Sequence, residues 1–269
     1  MDLKLEGRRA LVTAATGGIG EASARMLAAE GAIVAVNGRS AEKVARVVEA
    51  IAAAGGKAVA AVGDVDTEAG VDAAVAAARA ELGGVDILVN NFGGSVFEGL
   101  RDWFSVPPSD FERSYAKNVI SLVRMTRHFA EDMRQARWGR VINVASIAAL
   151  KPTDGLPEYA GSKAAVIAIT KSLSHAFANT GVTANTVIPG ITLTEAVRFW
   201  IEGHAKARGW EGDFDELQKR FAREAQPLPA GAFAEPEAIA YAIVMLASPL
   251  SSYITGANIR ADGGVLEAP

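Results

Sequence analysis

Short β-branched runs alternate with longer alanine-rich stretches along nearly the whole of this 269-residue chain, a rhythm that constrains its fold more than any single motif. Strands are expected at 9–13, 33–37, 58–62, 87–90, 140–145, 183–188 and 258–260. Helices are expected at 18–30, 41–54, 67–82, 109–136, 159–180 and 236–248. A strand, a helix and a second strand in succession close as a right-handed crossover, so the sheet should be parallel with helices on both faces. Ser109 and Glu112, behind Pro107 and Pro108, have the spacing of a capping box and mark a helix start at Ser109. No linker, low-complexity tract or fixed-period repeat divides the chain. The expectation is one α/β domain over 1–269, doubly wound around a seven-stranded parallel sheet.

Two segments, 92–108 and 192–234, break the rhythm directly after a strand end. Open α/β sheets bind ligands beyond the carboxyl ends of their strands, which places both segments at the expected site. The second spans about 40 residues and has weak helical patterning of its own, as a substrate-binding lid would.

Composition narrows the function. Half the residues are hydrophobic and only 7% aromatic, so the core should be aliphatic. A net charge of −4 leaves no footprint for nucleic acid or an anionic membrane. The lack of cysteine excludes disulfides, thiol nucleophiles and thiolate metal sites. MDLKLEGRRA lacks the apolar stretch of a signal peptide, and the longest apolar run, 238–247, is half the roughly 20 residues a membrane span needs. A soluble, cytoplasmic protein is expected. His128, His175 and His204 have no partners at ligand spacing, so no metal site is expected.

The stretch TAATGGIG, Thr13 to Gly20, joins the first strand to the first helix. Unpaired N–H groups at a helix start attract phosphate, and Gly18 and Gly20 would admit a pyrophosphate to the main chain. Taken alone, the stretch reads equally as a tight strand-to-helix corner. Enzymes specific for NAD place an acid after the second strand to bond the ribose hydroxyls. Here that position is Gly38, followed by Arg39, whose guanidinium would pair with a 2′-phosphate. The missing acid and the arginine favour NADP(H) over NAD(H), with Asn37 and Ser40 as further candidates for holding the phosphate.

Tyr159-Ala160-Gly161-Ser162-Lys163 puts a phenol and an ammonium one helical turn apart. A nearby cation favours phenolate and would lower a pKa that ordinarily lies near ~10. Ser146, at the end of the strand GRVINVAS, lies 13 residues before Tyr159.

With Ser146, Tyr159 and Lys163 together, the sequence resembles the short-chain dehydrogenase/reductase family over nearly its whole length. Thr13, Gly18, Ile19 and Gly20 match the family's T-G-x-x-x-G-x-G, with Ala14 in place of its first glycine. That methyl group is tolerable if φ at Ala14 is negative. The resemblance implies a Rossmann-like fold with Asn118, Ser146, Tyr159 and Lys163 as the catalytic set. Tyr159 would serve as acid in reduction and base in oxidation, with Ser146 orienting the carbonyl oxygen. Lys163 would hold the nicotinamide ribose, and Asn118 a water of a proton relay. Cofactor contacts are expected from Thr13, Ala15, Thr16, Gly18, Ile19, Gly20, Arg39, the Asp64-Val65 pair, and Asn91 of the N-N-A-G-like Asn90-Asn91-Phe92-Gly93. Pro189, Gly190, Thr192 and Thr194 of the P-G-x-x-x-T-like turn complete the set. Phe92 replaces a small residue, and its ring should either pack under the cofactor or turn into the substrate pocket.

The expected activity is an NADP(H)-dependent interconversion of a carbonyl and a secondary alcohol. Phe97, Trp103, Phe199 and Trp200 would line a pocket for a bulky, apolar or cyclic substrate. A 3-oxoacyl thioester reductase and a dehydrogenase of cyclic alcohols or dihydrodiols are the chemical alternatives. A non-catalytic NADP(H)-binding sensor or scaffold is the alternative of another kind. The resemblance also implies a homodimer or homotetramer built on the helices at 109–136 and 159–180.

Overall fold

A computed structural model describes residues 2–96, 101–225 and 228–267, apart from the side chain of Ala196. Seven strands form one sheet: β1 (Arg9–Val12), β2 (Ile33–Gly38), β3 (Lys57–Val62), β4 (Ile87–Asn90), β5 (Gly139–Val144), β6 (Val182–Pro189) and β7 (Asn258–Ala261). Their order is β3-β2-β1-β4-β5-β6-β7, and every neighbouring pair is parallel. The chain reverses its winding at β1, which pairs with β2 on one side and β4 on the other. The crevice at such a reversal is where doubly wound sheets hold nucleotides.

Helices cover both faces because both faces of the central strands are apolar. On one face α1 (Gly18–Ala29), α2 (Ala41–Ala53) and α9 (Pro236–Ala247) bury Leu27, Val47 and Ile243 against Val12, Val34 and Val89. On the other, α3 (Glu68–Leu82), α5 (Ser121–Gln135) and α6 (Pro157–Ala176) pack around Leu11, Leu88, Phe129 and Val141. Bidentate pairing of the Arg9 guanidinium with Asp86 (3.0 and 2.6 Å) ties the start of β1 to the approach of β4.

The expected capping box at Ser109 does not form. α4 (Pro108–Tyr115) starts one residue earlier, with Pro107 as the capping residue. Pro108 already has the φ of a first helical position and has no N–H to satisfy, so Ser109 falls inside the helix. A capping box does form at Asp213 and Glu216, opening α8 (Phe214–Glu224).

The single helix expected over 109–136 is two, α4 and α5, joined by a π turn at Ala116–Ile120. Segment 192–234 is a closed excursion. It contains α7 (Glu195–Ala207) and α8 around its own cluster of Leu193, Ile201, Phe221 and Phe233. Thr192 bridges Ala234 at its root.

Ala14 adopts φ +51°, the left-handed region, and not the negative φ expected. Both of its backbone groups are engaged: its N–H donates to Asn37 Oδ1 (3.2 Å) and its carbonyl accepts from Asn91 Nδ2 (3.3 Å). These two bonds fix the peptide in the orientation that a glycine would adopt without steric cost. Ala14→Gly should therefore stabilise the fold by roughly 1 kcal/mol, a rise in Tm of about 2–4 °C. Gly20→Ala should do the opposite, because its Cβ would overlap the Ala14 carbonyl oxygen and approach Asn91 Nδ2 at 2.6 Å. Thermal unfolding of the two variants checks both signs.

Candidate active site

The carboxyl end of β5 and the first turns of α6 bring the catalytic candidates together. Pro157 at the first helical position starts α6 two residues before Tyr159, and Lys163 follows one turn later on the same face. Lys163 is buried, and its Nζ donates to the Val144 carbonyl at 2.8 Å, the last residue of β5. That bond holds the ammonium 5.8 Å from the centre of the Tyr159 ring. Ser146 lies two residues beyond β5, near enough to the Tyr159 side chain to favour its ionised form. Its Oγ accepts from the Ala148 N–H at 3.2 Å, which leaves the hydroxyl hydrogen free to donate elsewhere.

Asn118 sits in the π turn, and its buried amide explains why the turn is there. A π turn leaves a carbonyl one turn back without its usual partner. Asn118 Nδ2 takes that place, donating to Ser114 O (3.1 Å) as well as to Gly94 O (3.0 Å) and Ser162 Oγ (3.0 Å). Its Oδ1 accepts from the Gly94 N–H at 2.8 Å. The amide thus fastens α4, α6 and the loop after β4 to one another. A side chain at Gly93 would overlap Asn118 Oδ1 and come within 2.9 Å of Lys163 Nζ, so only glycine fits between them.

Electrostatics differ from the sequence expectation. Burial pushes the Tyr159 hydroxyl above its ordinary pKa; the Ser146 hydroxyl opposes the shift, and the Glu158 carboxylate adds to it. Lys163 was expected to lower this pKa, but burial and the nearby Lys117 depress the ammonium itself, to about 8. A weakened cation beyond hydrogen-bond reach of the phenol does not offset burial.

The crevice fits a dinucleotide. Gly17, which caps α1, provides no side-chain acceptor, so the first N–H groups of that helix have no side-chain cap. A Cβ at Gly18 would lie 3.0 Å from the Thr194 methyl group, so the glycine turn and the start of α7 converge on one spot. Thr194 caps α7 through its Oγ1, and Thr192 Oγ1 donates to the Gly190 carbonyl at 3.2 Å. Gly190 itself allows the end of β6 to pass Asp262, whose Cα would lie 2.8 Å from a Cβ there.

Thr13 and Asn91 shape the crevice from behind. The Thr13 hydroxyl accepts from the N–H groups of Asn91 and Phe92, both at 2.9 Å, and Asn91 Nδ2 donates back to the Thr13 carbonyl at 3.1 Å. Ala15 is buried and Ile19 packs against the core beneath α1. Val65 is buried beside Phe92, and Asp64 Oδ1 accepts from the Asp66 N–H at 3.2 Å.

A side chain at Gly38 would meet the Thr16 methyl group at 2.5 Å, so an acid at this position would have to turn that methyl group aside. Arg39 is exposed beside it. Asn37, expected as a phosphate ligand, is buried; it donates to Ala61 O (2.9 Å) and Gly63 O (3.0 Å) and cannot serve as one. Ser40 caps α2 through Lys43 N–H. Arg46, which the sequence reading passed over, donates to Thr16 O at 3.0 Å and to Glu21 at 2.9 Å.

Phe92 packs against the core on the α5 side, near Leu122 and Met125. Trp103 packs edge-on against Phe104 and Phe111, and Trp200 against Phe221 within the excursion. Phe199 is largely exposed, and Phe97 lies outside the described residues. His128 Nε2 lies 3.4 Å from Asp72, His175 is exposed, and His204 lies against Trp210 and Phe221. Among the described residues, none of the three joins a cluster of potential metal ligands.

Residues 8–204 match the sequence profile of the short chain dehydrogenase family. The chain belongs to that family and is an oxidoreductase. It is 39% identical to the uncharacterized oxidoreductase YvaG of Bacillus subtilis, over 100% of this chain and 99% of that protein. Among solved structures it is similar to L-sorbose reductase from Gluconobacter frateurii, complexed with NADPH and L-sorbose. That likeness has a TM-score of 0.92 and 30% identity, and covers 100% of both chains. It is also similar to a 7α-hydroxysteroid dehydrogenase complexed with NADH and 7-oxo glycochenodeoxycholic acid, with a TM-score of 0.84 and 30% identity over 98% of this chain and 96% of that one.

Lys163 places a stability cost at the centre of this site. Its pKa is about 8 in the fold, against 10.5 ordinarily. Below pH 8 the amine is charged in both folded and unfolded states, and the fold carries the whole burial penalty. Between the two values the unfolded chain binds more protons, so stability rises with pH; above both the penalty is gone. The difference corresponds to ~3 kcal/mol, less roughly 1–2 for the hydrogen bond lost at Val144. Lys163→Met should thus be about 1–2 kcal/mol more stable than the parent at pH 7 and lose that advantage by pH ~10. Urea unfolding at the two pH values measures it, and equal destabilisation at both would contradict the assignment.

Proposed function

We propose that the protein is an NADP(H)-dependent carbonyl reductase, also competent in the reverse oxidation of a secondary alcohol. The observation that carries this reading is the grouping of Ser146, Tyr159 and Lys163 at the end of β5, with Lys163 Nζ held by the Val144 carbonyl 5.8 Å from the centre of the Tyr159 ring. When bound, the nicotinamide supplies the hydride in reduction and accepts it in oxidation. In reduction Ser146 donates a hydrogen bond to the carbonyl oxygen and Tyr159 gives that oxygen its proton. The raised pKa of Tyr159 keeps it protonated at neutral pH, the form an acid requires. Lys163 and Asn118 return a proton to the phenol through the relay that the π turn holds against α6.

Glycines 18 and 20, with Pro189, Gly190 and Thr194, would hold the dinucleotide at the mouth of the crevice. Arg39 would bind the adenosine 2′-phosphate, which Gly38 leaves unopposed by any carboxylate. Phe199, 77% exposed on α7, favours a bulky, apolar or cyclic ketone, and 192–234 acts as the lid over it. The NADPH and L-sorbose in the complex of L-sorbose reductase favour a second reading, a polyhydroxylated ketose.

Loss of NADPH absorbance with cyclic ketones, 3-oxoacyl thioesters and ketoses tests the reaction and sorts these substrates. Tyr159→Phe should lower kcat by about 10²–10⁴-fold with the fold intact; undiminished turnover would end the proposal. Arg39→Ala should raise KM for NADPH roughly 10–100-fold and leave NADH nearly unchanged, as loss of a charge-assisted contact requires. Equal losses with both cofactors would remove the phosphate contact.

A further inference from the structure

Glu158 is a buried acid that the family match does not account for. It occupies the second position of α6, directly before Tyr159, and is only 1% exposed. One carboxylate oxygen, Oε1, accepts from Ser95 Oγ at 3.0 Å, and the other, Oε2, is buried with no hydrogen-bond partner among the described residues. A buried carboxylate left half-satisfied is costly, so its position calls for a reason beyond packing.

Its surroundings supply one. Ser95 belongs to the loop after β4, whose Gly93 separates Asn118 from Lys163. Lys117 Nζ, from the π turn, donates to the Ser95 carbonyl at 3.1 Å. From α4, Arg113 donates to the Val96 carbonyl at 3.4 Å and pairs with Asp110, which Arg101 also approaches. Among the described residues, the charged groups on the elements that hold this loop are Lys117 and the Arg113–Asp110–Arg101 cluster, and Lys163 lies further along the helix that carries Glu158.

We propose that Glu158 is a positioning residue for Tyr159: a carboxylate fixed by Ser95 beside the proton relay, whose charge disfavours phenolate and biases the site towards reduction. This rests on the reading of Tyr159 as the acid. The two charges flanking Tyr159 act in opposite senses. Lys163, one turn onward, would favour the phenolate, and Glu158, the adjacent residue, favours the phenol, adding to a rise that comes first from burial.

The test reads the phenol itself. In protein labelled with ¹³Cζ-tyrosine, the resonance lost in Tyr159→Phe identifies Tyr159, and its titration needs neither substrate nor turnover. Glu158→Gln should lower the midpoint by about one pH unit, on the order of tenfold more phenolate at a fixed pH below it. Glu158→Ala should shift it in the same direction without adding an amide N–H that lacks an acceptor. Glu158→Asp, which keeps the charge, should return it towards the parent value. With a substrate in hand, the acid limb of kcat for alcohol oxidation should move to lower pH in Gln and Ala variants alike. A midpoint unmoved in both charge-removing variants overturns the proposal, even if Tyr159→Phe abolishes turnover. Full turnover in Tyr159→Phe would instead defeat the reading on which it rests.

Discussion

A buried ammonium, with no carboxylate bonded to it among the described residues, organises this site. Lys163 Nζ is held by one carbonyl at the end of β5, and the structure around it exists to keep that donor in place. Asn118 binds α4 to α6, Gly93 lets the loop after β4 pass without a side chain, and Ser146 emerges where the same strand stops. Supplying a carboxylate would satisfy the amine, but would also remove the donors that a cofactor and a relay need. The fold therefore bears a desolvation cost at its candidate active site, and the large aliphatic core on both faces of the sheet offsets it.

The parallel sheet was legible because strand and helix periods differ and the chain alternates between them. All seven strands lie close to where β-branched runs place them, and those at the centre of the sheet do so because a strand buried on both faces tolerates few other residues. The helix over 109–136 was less legible. Its apolar periodicity runs on through Ala116–Ile120, and the side-chain amide that opens the π turn finds its partners in Ser162 and Gly94, far off in sequence. The false capping box at Ser109 has a local cause, a proline that moves the helix start by one residue.

The shared face of the proposed catalytic group was readable from spacing, but its electrostatics were not. Tyr159 and Lys163 stand four apart in any helix, so their shared face follows from sequence alone. Whether cation or burial governs the phenol depends on how deeply the amine itself is desolvated and on Lys117, which approaches through the π turn. Glu158 was missed for the same reason: an acid at the second position of a helix usually faces solvent, and only the loop carrying Ser95 turns this one inward.

On the proposed reading, the corner after β2 would select its cofactor by exclusion as much as by attraction. An exposed arginine alone says little, because surface guanidiniums are common and weakly bound. What gives Arg39 its meaning is the neighbouring backbone, where Thr16 fills the space that an acidic side chain at Gly38 would need. Thr16 is in turn held by Arg46 through its carbonyl, and Arg46 is paired to Glu21 on α1. A change from Gly38 to an acid would thus have to turn the Thr16 methyl group aside while Arg46 keeps the carbonyl of the same residue in place, so any accommodation falls on the side chains of Thr16 and Val44 and not on the glycine turn.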